Sequence, residues 1–207
     1  MAANLQLPRL YAIVDSSCFA DMQQMFKFAT ELVEGGATLL QYRNKTGQAP
    51  KMLEEARALK KAIGTRAKLI MNDRADLCLL AGYDGIHVGQ DDLSPDAVRR
   101  IIGPDLWLGV STHNPSQIAE AAKTSADYVA IGPVFSTASK MNPDPLVGLE
   151  GVRQARSLTS KPLVAIGGIT RATGRQVIEA GADSVALIAD LLSNPRQSAG
   201  DFLRILR

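Results

Sequence analysis

Apolar residues in this chain gather into eight short runs, separated by longer stretches whose hydrophobic positions recur at helical spacing. The runs are Leu10–Val14, Leu39–Tyr42, Lys68–Met71, Gly85–Gly89, Leu106–Val110, Tyr128–Ile131, Pro162–Ile166 and Ser184–Ile188. They are apolar at successive rather than alternate positions, as parallel strands covered on both faces are. Between them, Met22–Glu34 sets Met25, Phe26, Ala29, Leu32 and Val33 on one face and stops at Gly35-Gly36. Pro50–Ile63, Asp73–Leu80, Ser94–Ile102, Asn114–Lys123, Gly151–Leu158, Ala172–Ala180 and Ser198–Leu206 complete the predicted helices. Ser94-Pro95 and Asn114-Pro115 each offer a capping side chain followed by proline in the first helical turn. Strand and helix alternate with a period of roughly 25 residues, the pattern of an α/β domain with a parallel sheet. An open doubly wound sheet fits that alternation too, but eight units with no spare strand predict a closed (β/α)8 TIM barrel, one domain over residues 1–207.

A barrel of this kind gathers the carboxyl ends of all its strands at one face, where distant residues converge. The runs end in chemistry-bearing residues: Asp15, Gln41 to Arg43, Asn72-Asp73, Gln90-Asp91-Asp92, Ser111, Gly132-Pro133, Gly167-Gly168 and Ala189. At the second strand, Gln41, Arg43 and Lys45 share one side of an extended chain, with Tyr42 and Asn44 on the other. An inward guanidinium needs a partner, either an internal carboxylate or an anionic, phosphorylated ligand.

Asn72-Asp73-Arg74 and Gln90-Asp91-Asp92 end neighbouring strands, so Asp73 and one of the later aspartates can face each other. Singly, each aspartate reads as a helix cap. Together, beside a basic strand, they read as a site for Mg²⁺ and a diphosphate, since Mg²⁺ takes few protein oxygens and leaves the rest to phosphate and water. Gly167-Gly168 after the seventh strand, followed by the end of the eighth, is where such barrels hold phosphate on backbone N–H groups. A tight rim turn explains the glycines equally well.

Thr137, Ser139 and Lys140 lie in the longest connection, Ser136–Val147, and suit a clamp that closes over an anion. His87, flanked by Ile86 and Val88, reads as a satisfied core histidine, whereas His113 beyond the fifth strand reads as a site residue.

Composition changes this picture little. The 207 residues carry a net charge of +2 with both signs interspersed, so neither a nucleic-acid stripe nor a membrane-surface patch is expected. Cys18 and Cys78 lack metal-ligand spacing and are expected to stay reduced, in a cytoplasmic protein. Met1–Pro8 lacks a signal pattern, and no apolar run reaches membrane-spanning length.

Taken together, these motifs resemble the thiamine phosphate synthase family, and the resemblance runs from Leu10 to about Ile188. It rests on Gln41-x-Arg43-x-Lys45, Met71-Asn72-Asp73-Arg74, Gly85-Ile86-His87-Val88-Gly89-Gln90-Asp91-Asp92, Gly109-Val110-Ser111-Thr112-His113, Gly132-Pro133-Val134-Phe135 and Ile166-Gly167-Gly168-Ile169. The resemblance implies a Mg²⁺-dependent transferase of a non-methyl alkyl group. Such an enzyme joins an aminopyrimidine diphosphate to a thiazole phosphate, carboxylated or not, and releases pyrophosphate. It implies that Gln41, Arg43, Lys45, Asn72 and Lys140 hold the diphosphate, and that Asp73 and Asp92 bind one Mg²⁺. Ser111 would lie near pyrimidine and diphosphate. Thr137, Ser139 and the backbone of Gly168, Ile188 and Ala189 would meet the thiazole phosphate. Arg43, Lys45, Ser111 and Lys140 would act in catalysis.

Two positions depart from the family pattern. Ser139 replaces a threonine, keeping the hydroxyl, and Ala189 replaces a serine, which a backbone contact tolerates. The alternatives are a thiazole tautomerase on the same fold and a non-catalytic sensor of thiamine-pathway ligands. The intact basic triad and aspartate pair favour the synthase. The expected partners are the two small substrates, with a homo-oligomer compatible with the sequence.

Overall fold

The computed structural model describes residues 5–136 and 145–207. Eight strands form a closed parallel barrel in chain order: β1 Leu10–Asp15, β2 Leu39–Arg43, β3 Lys68–Asn72, β4 Gly85–Val88, β5 Trp107–Thr112, β6 Tyr128–Ile131, β7 Leu163–Ile166 and β8 Ser184–Leu187. The ring is closed by β1 and β8, with Leu10 opposite Val185 and Ala12 opposite Leu187. The helices are α1 Met22–Glu34, α2 Ala49–Ile63, α3 Ala75–Ala81, α4 Pro95–Ile102, α5 Pro115–Ala121, α6 Gly148–Leu158, α7 Gly174–Glu179 and α8 Pro195–Ile205.

The predicted strands and helices are all present, but some ends move. Helix α3 starts at Ala75 rather than Asp73, because Asp73 takes a left-handed conformation (φ 60°) that breaks the helix off before it. Helix α8 starts at Pro195, whose Asn194-Pro195 pair repeats the Asn-Pro signal that marks α5. Helix α6 starts at Gly148, where the N–H groups of Val147 and Gly148 bond to the carbonyls of Pro133 and Val134. Two unpredicted single turns of 3-10 helix, Ser16–Cys18 and Ala189–Leu191, follow β1 and β8.

Alternate strand residues divide two cores. Tyr11, Ile13, Leu39, Ile70, Tyr128 and Val164 point into the barrel, and Leu5 and Leu7 pack against that inner cluster. Leu10, Ala12, Val14, Leu40 and Met71 point outward under the helices.

The end of the barrel opposite the site carries a repeated device. Asp84, Asp127 and Asp183 immediately precede β4, β6 and β8, and accept from the N–H groups of Leu69, Leu108 and Leu163 at 2.9, 2.8 and 2.8 Å. Each also meets a cation from a preceding helix: Lys60, Arg99 or Arg156. Burial raises the Asp84 carboxyl, but the Leu69 N–H and the ammonium groups of Lys60 and Lys68 outweigh it and hold the carboxyl below the usual range. A depressed carboxylate adds stability above its unfolded pKa of about 4 and loses it as pH falls through the native value. Asp84→Asn is therefore expected to lower the melting temperature at pH 7, with the gap to the parent closing in acid. A gap constant from neutral pH to acid would contradict that origin.

Candidate active site

The strand ends at the opposite face carry the polar residues singled out from sequence. At β2, alternation works as expected: Gln41 points into the barrel, while Tyr42 turns outward and donates to the buried Glu55 of α2. Asn44 also donates to Glu55, at 3.1 Å, and its Oδ1 accepts from the N–H groups of Thr46 and Gly47. This outer latch fixes the loop that carries Lys45. Arg43 pairs with Asp15 at the end of β1, whose other oxygen accepts from the Ser17 N–H and hydroxyl at 3.0 and 2.7 Å. Of the two partners open to Arg43, the protein itself thus supplies the internal carboxylate. A guanidinium has five N–H donors, so one ion pair leaves others for a ligand.

Strands β3 and β4 bring Asp73 and Asp92 together. Asp73 pairs with Lys45, and Asp92 lies within hydrogen-bonding reach of Asp73 while accepting from the Gly89 N–H at 2.7 Å. Burial, with a further push from Asp92, raises the Asp73 carboxyl above its usual range, although Lys45 pulls it down. Two carboxylates share the one Lys45 ammonium here, and a hard divalent cation is a group that would balance the charge left over. Left-handed backbone at a non-glycine residue is the kind of strain that collects at functional sites. It turns Asp73 out of the helix it would otherwise cap, and its N–H bonds to the His87 carbonyl at 2.8 Å. Beside it, the Asn72 Nδ2 is buried with no hydrogen-bond partner among the described residues. A buried donor without an acceptor is costly, and an anionic ligand is one group that satisfies it.

Ser111, at the end of β5, is bonded by His87 rather than by its sequence neighbour His113. The His87 Nε2 lies 2.8 Å from the Ser111 Oγ, and its Nδ1 lies 3.2 Å from the Tyr128 hydroxyl. His87 is buried and satisfied, as read from sequence, but its partner is a site residue. Burial lowers it to about 4 despite the nearby Asp92, so it stays a neutral imidazole at physiological pH. The His113 Nδ1 instead meets the Gly132 carbonyl at 2.6 Å, and its backbone N–H donates to Gln117. Strand alternation was the signal for His87, since Ile86 and Val88 point outward and His87 must point in. Asp15 was singled out as a strand-end residue but not as the partner of Arg43, and Tyr11 and Tyr128 were missed as neighbours of the site; only the register brings them there.

At β7, Gly168 (φ 60°) lies against the backbone of Phe135 and Ser136, where any Cβ would overlap the Ser136 carbonyl oxygen. The Phe135 N–H bonds to the Gly167 carbonyl at 3.0 Å, so the glycine pair also docks the β6 loop. The turn Ala189–Leu191 after β8 begins beside Ile188, placing Ile188 and Ala189 at its N-terminal end. Asp190 in that turn pairs with Arg171 from the β7 loop, tying the two loops together. Thr137, Ser139 and Lys140 lie outside the described residues.

A barrel with cations, a carboxylate pair and a glycine turn at its strand ends belongs to the class of phosphate-handling enzymes built on this fold. Comparison with known proteins narrows the class: the family model for thiamine monophosphate synthase matches residues 10–191, and the chain belongs to that family. It is similar to the thiamine-phosphate synthase of Koribacter versatilis, 59% identical over 209 aligned positions that cover 100% of this chain and 99% of the relative. The Agrobacterium fabrum thiamine-phosphate synthase is 42% identical, covering 94% and 91%. Among solved structures, thiamine phosphate pyrophosphorylase from Pyrococcus furiosus superposes with a TM-score of 0.86 at 29% identity, covering 96% and 95%. The family resemblance, the barrel and the assignment to the transferases of thiamine biosynthesis are thereby borne out.

Proposed function

We propose that this site joins an aminopyrimidine diphosphate to a thiazole phosphate with the help of Mg²⁺, giving thiamine phosphate and pyrophosphate. The observation that carries the reading is the crowded Asp73–Asp92 pair beside the unpartnered Asn72 amide and the cations of β2. Asp73 and Asp92 suit one Mg²⁺, two oxygen ligands that leave room for phosphate and water. Among the described residues no larger cluster of metal-ligating side chains occurs. When bound, the ion supplies positive charge to the leaving diphosphate. Gln41, Arg43, Lys45, Asn72 and Lys140 hold the same diphosphate. Ser111 faces the pyrimidine end, and Thr137, Ser139, Gly168, Ile188 and Ala189 hold the thiazole phosphate.

Calorimetry tests the reading. The pyrimidine diphosphate is expected to bind with Mg²⁺ and to lose most of its affinity in excess chelator. Binding of thiazole phosphate alone would point to a tautomerase, and binding of both without turnover to a sensor.

The two anion sites are separable. Lys140→Ala is expected to lower kcat chiefly, by slowing departure of pyrophosphate. Gly168→Ala is expected to raise KM for the thiazole phosphate and to lower the melting temperature, because its Cβ displaces the Ser136 backbone. Equal effects of both variants on the same substrate would contradict the division.

We also place the chain in the cytoplasm, with the two small substrates as partners and a homo-oligomer compatible with the sequence. Both cysteines are free, and among the described residues no helix is long and apolar enough to cross a membrane. Sedimentation reads the oligomeric state.

A further inference from the structure

A continuous chain of side chains crosses the barrel interior beneath the site. The Gln41 amide bonds to the Tyr11 hydroxyl at 2.8 Å, and Tyr11 meets the Tyr128 hydroxyl at 3.1 Å. Tyr128 meets the His87 Nδ1 at 3.2 Å, and the His87 Nε2 meets the Ser111 Oγ at 2.8 Å. Every inner member is buried: Tyr11 1%, Tyr128 0% and His87 8% exposed. The strand sequence makes room for it. Gly109 stands in β5 where any Cβ would overlap the Tyr128 ring, so a missing side chain lets the tyrosine cross the barrel.

Each inner link has one proton to give. A phenol donates once, and a neutral imidazole carries one N–H and one lone pair. Burial raises both tyrosines far above their usual values, so they remain phenols. Two arrangements satisfy every link without leaving a buried phenol proton unused. In one, the Gln41 NH₂ donates to Tyr11, Tyr11 to Tyr128, Tyr128 to His87 Nδ1, and the His87 Nε2–H to Ser111. The Gln41 carbonyl oxygen and the Ser111 O–H are then left for a ligand, an acceptor at one end and a donor at the other. In the second, the Gln41 amide flips so that its carbonyl oxygen accepts from Tyr11, every other bond reverses, and the ends exchange roles.

We propose that Tyr11, Tyr128 and His87 are positioning residues that couple Gln41 to Ser111, so that these two groups always offer a ligand opposite hydrogen-bond polarity. The ligand class that suits such ends offers an acceptor to Gln41 and a donor to Ser111, as the diphosphate oxygens and the amino group of an aminopyrimidine diphosphate do. This inference rests on the proposed function, which puts the pyrimidine diphosphate between them. Once the pyrimidine engages either end, the whole chain locks into one arrangement and His87 into one tautomer.

Nitrogen NMR of ring-labelled His87 tests this, using the pyrimidine diphosphate with Mg²⁺ and no thiazole. The saturated complex is expected to show a single neutral tautomer, and Tyr128→Phe, which keeps the ring and cuts the chain, to show a mixture. Kinetics give a second readout. Gln41→Ala and Ser111→Ala are each expected to raise KM for the pyrimidine about tenfold. The double variant should raise it by clearly less than the product of the two. In the Tyr128→Phe background the two effects should multiply. Mixed tautomers in the saturated parent complex, or coupling unchanged by Tyr128→Phe, would overturn the inference while leaving the proposed function intact. Failure of the pyrimidine diphosphate to bind at all would overturn both.

Discussion

Asp73→Asn and Asp92→Asn each lower turnover by at least about two orders of magnitude, equivalent to roughly 3 kcal/mol of barrier. Asparagine keeps the size and hydrogen-bonding shape of aspartate, and it tolerates the left-handed backbone that residue 73 adopts. At position 92 its oxygen still accepts from the Gly89 N–H. What each variant loses is one negative charge from the pair proposed to hold a cation against the diphosphate. The stability effect runs the other way for Asp73. Folding raises its carboxyl, so the ionised form is disfavoured in the native state at neutral pH, and Asp73→Asn is expected to melt higher than the parent. A variant that is more stable and far slower separates a catalytic cost from misfolding. Full activity of either variant, or parent activity persisting in excess chelator, would contradict the assignment.

An electron-withdrawing substituent on the pyrimidine slows turnover by about two orders of magnitude or more while barely changing binding. The reason is the kind of help the site offers. Ser111 is not an activated nucleophile, because its partner His87 is held near pKa 4 and its other nitrogen meets a phenol rather than a carboxylate. Among the described residues, Arg43 anchored by Asp15 and Lys45 held on the loop latched to Glu55 stand at the strand ends proposed to hold the leaving diphosphate. Such charges favour a step in which the bond between the pyrimidine methylene carbon and the diphosphate oxygen breaks first, its electron pair leaving with the oxygen. The amino group of the pyrimidine supports the benzylic-type cation that remains, and the thiazole nitrogen then donates its lone pair to the carbon. Single-turnover measurements with both substrates prebound isolate this step. A rate indifferent to the substituent would favour direct displacement.

The barrel was legible because its information is local. Each apolar run and each helical stripe declares its element, and the count of eight closes the sheet. The site was legible where residues sit at strand ends, as with Asp73 and Asp92, whose neighbouring strands bring them together. It was less legible where a contact depends on register between distant strands. Tyr11 and Tyr128 lie 117 positions apart and read as ordinary core aromatics, yet their hydroxyls meet under the site. The aspartates before β4, β6 and β8 were also passed over, although each follows a short Gly-x or Ser-x step: Gly82-Tyr83-Asp84, Ser125-Ala126-Asp127 and Gly181-Ala182-Asp183. Their meaning lies in the N–H of the preceding strand, which the linear pattern does not display. Gly168 shows the reverse case, where a residue read from sequence as a phosphate turn also docks another loop against it.

The most direct test of the whole account is to incubate the purified protein with the aminopyrimidine diphosphate and the thiazole phosphate, with and without Mg²⁺, and to quantify both products. The account predicts thiamine phosphate and pyrophosphate in equal amounts, formed only when both substrates and the metal are present. Saturable binding of both substrates without either product would contradict it.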